Sequence, residues 1–135
     1  MRSFQTLDIV SVEEDTGIIY ISVNEENWMH PRISMRREGS YIAISASYGP
    51  VEIAMRLRFN ELTRVLARLR PVNGLQTTRQ VGTGQSYLAM GLQDGGNLVL
   101  RPTIVADATG HMCFNLVLTD GVRATLFDWL SIHEA

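Results

Sequence analysis

The sequence predicts a single α+β domain of two antiparallel β-meanders, each running into an amphipathic helix. Three observations predict it. Alternation of apolar and polar residues with a period of two dominates the chain. Two short stretches switch to the 3.6-residue period of a helix, and each directly follows a strand pattern. The order of patterns before the first helix is met again before the second, which suggests an internal pseudo-repeat over about 4–71 and 72–135.

The elements follow in order. Residues 4–12 (FQTLDIVSV) and 18–23 (IIYISV) read as a hairpin around Glu14-Asp15-Thr16-Gly17. Residues 32–37 place Ile33 and Met35 against Arg32, Ser34 and Arg36. Glu38-Gly39-Ser40 reads as a turn, 41–48 (YIAISASY) as a strand, Gly49-Pro50 as a tight turn and 51–59 (VEIAMRLRF) as the next strand. Leu62, Val65, Leu66 and Leu69 then form one helical stripe, with Asn60 as the expected N-cap and Pro71 as the stop. The polar stretch 72–85 is expected to hold a short strand and a loop. Strands are expected at 86–92, 97–105 and 111–118, with turns at Asp94-Gly95-Gly96 and Asp107-Ala108-Thr109-Gly110. A second helix is expected from Thr119-Asp120, with Val122, Leu126, Trp129 and Leu130 on one face. Ile53–Leu69 aligns without gaps on Phe114–Leu130, though few residues are identical.

With 135 residues, 45% of them apolar and 19% charged, the chain is long enough for one core without staples. No stretch has the roughly 18 consecutive apolar residues of a membrane span, and the N-terminus lacks the apolar run of a signal peptide. Cys113 is the single cysteine, which excludes an intrachain disulfide and fits a reducing, cytoplasmic setting.

The charges are segregated. Residues 3–31 hold six acids and no basic residue; residues 32–79 hold nine arginines and three acids; residues 80–135 hold two arginines and five acids. Segregation of this kind points to an anionic partner, or to mutual neutralisation of the segments in the fold. All twelve basic residues are arginine. Arginine binds phosphate bidentately and stacks on bases, but a GC-rich genome also accounts for the choice.

The main candidate site is a basic sheet face. Alternation turns Val51, Ile53, Met55, Leu57 and Phe59 inward and Glu52, Ala54, Arg56 and Arg58 outward. Residues Ile42, Ile44, Ala46 and Tyr48 turn inward, leaving Tyr41, Ala43, Ser45 and Ser47 outside. If these strands are neighbours, Arg32, Arg36, Tyr41, Arg56 and Arg58 share one face and combine phosphate-binding charge with a stacking ring. The competing reading is a solvated face whose arginines pair with the acids of residues 8–26. Arg64, Arg68 and Arg70 form a second basic group on the first helix, for which ordinary solvation is a sufficient account.

No catalytic, cofactor or metal pattern is present. His30, His111 and His133 lack ligand spacing, Gly82-Thr83-Gly84-Gln85 lacks the remainder of a phosphate loop, and no nucleophile elbow occurs. Cys113 reads as structural, and Trp28 as a core anchor or an exposed contact. Glu13-Glu14-Asp15 and Glu25-Glu26 read as solvated turns.

The order of elements resembles the Whirly-like and Pur-alpha-like single-stranded nucleic-acid-binding fold, over about residues 5–131. That resemblance rests on element order, without a residue signature. It implies two ββββα units, sheet surfaces that bind single strands, and homo-oligomers assembled through the helices. The expectation is therefore a non-enzymatic single-stranded DNA- or RNA-binding protein that homo-oligomerises. The alternative is a protein-interaction or scaffold module assembling through an outer face of the second half, at Val99, Cys113 and Val117.

Overall fold

The computed structural model describes residues 4–24 and 29–132. Trp28, Glu25, Glu26 and His133 lie outside the described residues. The chain is α+β. Five strands form one sheet: β2 (Ile9–Val12), β3 (Ile19–Ser22), β4 (Arg32–Glu38), β5 (Tyr41–Tyr48) and β6 (Val51–Arg58), in simple meander order. Helix α1 (Phe59–Ala67) continues from β6 without a loop. The second sheet has seven strands. Its path runs β1 (Gln5–Leu7), β12 (Leu116–Leu118), β10 (Leu98–Asp107), β9 (Ser86–Gln93), β7 (Pro71–Val72). Strand β8 (Arg79–Gly82) also pairs with β9, and β11 (Gly110–Cys113) with β10. Helix α2 (Asp120–Trp129) follows β12, capped by the Thr119 side chain, which accepts from the Val122 N–H.

The inner faces of both sheets and the buried sides of both helices form one apolar cluster, including Ile21, Ile42, Leu62, Leu88, Leu100 and Leu126. Helix α1 touches β6 and β8, and α2 touches β2 and β3. The Trp129 indole N–H donates to Gly17 O at 3.0 Å, so the far end of α2 is tied to the β2–β3 turn.

Three sequence expectations are corrected. Residues 4–12 are two strands in different sheets. Leu7 is fully buried and Ile9 is 40% exposed, although two residues apart on one strand they would share a face. The chain changes sheets at Asp8: β1 pairs in parallel with β12, and β2 pairs antiparallel with β3. Apolar residues three apart, Leu7 and Val10, carry this signal in the sequence. Residues 111–118 are likewise broken between β11 and β12. Phe114 N–H donates to Pro102 O at 3.2 Å, but proline has no N–H to return the bond, so the ladder lapses there. Finally, Arg58 occupies the N-cap of α1 rather than Asn60, because β6 passes directly into the helix; no side chain caps it.

Candidate functional site

Register fixes which side chains share the outer face of the five-stranded sheet, since directly paired residues point the same way. Successive cross-strand rows are Glu38–Tyr41–Arg58, Arg36–Ala43–Arg56, Tyr20–Ser34–Ser45–Ala54 and Arg32–Ser47–Glu52. The opposite face carries Ile33, Met35, Ile42, Ile44, Ala46, Ile53, Met55 and Leu57, all buried. From Glu52 to Arg58 the residues of β6 are exposed and buried in turn as a direct result, whereas Val51, expected inward, is 37% exposed at the sheet edge.

All five sequence-predicted residues therefore stand on one face. Arg36, Tyr41, Arg56 and Arg58 cluster at one end of it. Arg32 stands four residues along β4 from Arg36, about 13 Å away by strand geometry. Arg37 turns the other way, pairs with Ile42, and lays its guanidinium 3.4 Å from the Phe59 ring centroid. It covers the rim of the core and takes no part in the face.

The centre of the face is a trough of about 500 Å³. Ser34, Ala43, Ser45 and Ala54 line it, and their short side chains leave it open. Arg36 and Arg56 stand at one end. Because Ala43 between them is small, the Glu38 carboxylate reaches both: it accepts a bond from Arg36 Nη2 and lies 3.2 Å from Arg56 Nε. The Arg56 guanidinium sits 4.9 Å from the Tyr41 ring centroid. Hydrogen bonding from Arg36, with the charges of Arg36 and Arg56, lowers the Glu38 pKa from its usual 4.5. The Arg36 and Arg56 side chains remain 55% and 60% exposed. A guanidinium has five N–H donors, so one carboxylate leaves most of them free for an anion. Glu52, at the other end, accepts from Ser45 Oγ at 2.9 Å. Four arginines against two glutamates leave the face formally +2.

Among the described residues, Arg36 and Arg56 of this face are ion-paired by Glu38, on β4 itself, while Glu52 is engaged by Ser45. Among the described residues, no ion pair joins the face to Asp8, Glu13, Glu14 or Asp15. Sequence reasoning treated Glu38 as a turn residue and missed its role. It also missed Tyr20, 40% exposed on the same face; the inward Ile19 and Ile21 on either side are the signal for it. Two-residue spacing and strand separation put Tyr20 and Tyr41 about 17 Å apart, diagonally across the trough.

The Gly39-Ser40 turn sets this geometry. Gly39 has φ +63°, a conformation that side chains disfavour, and the tight connection pairs Glu38 with Tyr41.

The outer face of the second sheet is partly covered. Its row Thr6–Val117–Val99–Gly91 carries the segment 73–78 at its Gly91 end, while Thr6 at the other end is exposed. A Cβ on Gly91 would lie 1.9 Å from Gln76 O, so the segment rests directly on β9. Thr78 N–H donates to Met90 O at 2.8 Å and Gln93 Nε2 to Gly74 O at 3.3 Å, pinning it. Val99 is fully buried and Val117 is 4% exposed. The assembly face expected at Val99, Cys113 and Val117 is corrected accordingly: only Cys113 is partly exposed.

No group of three or more His, Cys, Asp or Glu among the described residues is arranged to hold a metal ion. No helix among them is long and apolar enough to cross a membrane. Searches of family models, curated proteins and solved structures found no match to this chain.

Proposed function

We propose that the chain binds single-stranded DNA or RNA on the open face of its five-stranded sheet, without a catalytic step. The observation that carries this is the trough of small side chains flanked by two exposed tyrosines and edged by Arg36 and Arg56. Unpaired bases present flat faces that stack on aromatic rings, at about 1–3 kcal/mol per base. The arginines meet the phosphates, exchanging Glu38 for a phosphate oxygen or sharing their donors between the two. A duplex hides its base faces, so it can use only the charge. Self-association belongs to the same proposal: β2 and β6 are the sheet's edges, and Ile9, Val12 and Val51 are exposed there.

Fluorescence anisotropy with oligo-dT and oligo-U twelve-mers in rising salt tests the reading. Expected is micromolar or tighter binding at low salt, a steep fall of affinity with salt, and weaker binding of duplex. Absence of binding at low salt overturns it.

A further inference from the structure

A second hollow, of about 420 Å³, lies beside the open face where β5 begins and β6 turns into α1. Ser40, Tyr41, Arg58, Asn60, Glu61 and Arg64 line it. We propose that it is a phosphate-binding pocket which takes the nucleic-acid strand off the sheet, around the β6 edge and onto α1. This rests on the open-face reading for the source of the phosphate, but not for the pocket's chemistry.

The donors define that chemistry. Arg58 and Arg64 come from different elements, a strand end and the last turn of a helix, and line the same hollow. Both are exposed, and no ion pair holds either among the described residues. Arg36 and Arg56, by contrast, share Glu38. The hydroxyls of Ser40 and Tyr41 and the amide of Asn60 add neutral donors, and Glu61 is the one acid. Two guanidiniums with hydroxyl and amide donors match a tetrahedral anion with several oxygens, such as a phosphate ester. Tyr41 links the two sites: Arg56, which lines the trough, lies over its ring, and Tyr41 also lines the pocket. A strand stacked on Tyr41 has its next phosphate at the pocket's mouth. Arg64, which reads from the sequence as a merely solvated helix residue, is the residue this assigns anew.

Two measurements decide it. In the first, the ¹H–¹⁵N spectrum of the full chain is followed on titration with inorganic phosphate and pyrophosphate. Saturable shifts at the amides of Ser40, Asn60 and Glu61, lost in Arg64→Gln, are expected; no such shifts up to tens of millimolar overturns the pocket whatever the oligonucleotides do. In the second, wild type and Arg64→Gln bind (dT)12 with and without a 5′-phosphate. An affinity loss of about fivefold to tenfold on both strands, with a salt slope shallower by about 0.7, assigns a backbone phosphate. A loss confined to the phosphorylated strand assigns a terminal one. If Arg64→Gln binds both strands like wild type, the path onto α1 is overturned while the open face stands. If wild type binds neither strand yet shows the phosphate shifts, the open-face reading fails and the phosphate pocket stands.

Discussion

The two sheets are built from the same kind of alternating strand, yet their outer faces end in opposite states. The five-stranded sheet leaves Tyr20, Tyr41 and four arginines in water over a floor of Ser and Ala. The seven-stranded sheet buries Val99 and Val117 and lays its own segment 73–78 over Gly91. The difference follows from side chains. Outward valines are stabilised by burial, as Val99 and Val117 are, and beside them Gly91 leaves room for backbone to lie on β9. Serines, alanines and arginines facing outward need no cover, because water solvates them well enough. One sheet thus has part of its second face covered within the chain, and the other presents an open surface, on which the proposed strand would lie.

The largest expected effect breaks the covered face. Gly91→Ala drives a methyl into Gln76 O and is expected to lift segment 73–78 off β9. It should destabilise the protein by about 2–3 kcal/mol in urea unfolding and increase binding of a hydrophobic dye. On the open face, Ala43→Val meets the exposed Arg36 and Arg56 side chains and the trough rather than packed backbone; its effect on unfolding should stay within about 0.5 kcal/mol. Equal destabilisation by the two would mean that the faces are not different in kind.

Next in size is the joint change Arg36→Gln with Arg56→Gln. It should leave unfolding nearly unchanged, since exposed ion pairs contribute little. It should weaken oligonucleotide binding at least tenfold and flatten the salt slope by about 0.7 for each phosphate left without its arginine. Tyr20→Ala is a smaller change: a loss of about 1 kcal/mol in binding, roughly fivefold, with Tyr20→Phe close to wild type, because stacking needs the ring and not the hydroxyl. Anisotropy measures both.

The smallest effect concerns Glu38. Its pKa lies below the usual 4.5, held there first by the hydrogen bond from Arg36. With the folded value depressed, its contribution to stability is present above the unfolded pKa and is lost as pH falls through the folded one. The carboxylate therefore competes for Arg36 and Arg56 throughout the neutral range, and releases them only in acid. Polyanion affinity should be flat from pH 8 to 5 and rise below the usual carboxylate range. Glu38→Gln should raise affinity about two- to threefold at pH 7 and abolish that acid rise. An acid rise that persists in the variant would assign it to another group.

Much of this was legible in particular residues. The alternation from Glu52 to Arg58 places those β6 side chains as expected, though Val51 is exposed rather than buried, and Arg32, Arg36, Tyr41, Arg56 and Arg58 do share one open surface. The stripe Leu62, Leu66 and Leu69 is buried as its spacing requires. Thr119 caps α2 as its residue type suggests. What escaped reading depends on partners distant in the chain. Leu7 and Val10 signal a break, but not that β1 crosses to lie parallel to β12. Pro102 interrupts a neighbouring strand rather than its own. Gly91 resembles any strand glycine until segment 73–78 is seen lying on it. Arg64 gains a role only beside Arg58.

By itself, then, the sequence determined local geometry: the periods of strand and helix, the turns, and which side chains along one strand point together. These follow from backbone stereochemistry and alternation, which act over a few residues. Tertiary structure alone decided which apolar face is covered and which arginines meet. Burial and charge proximity are properties of chain segments brought together from far apart, and no local pattern encodes them.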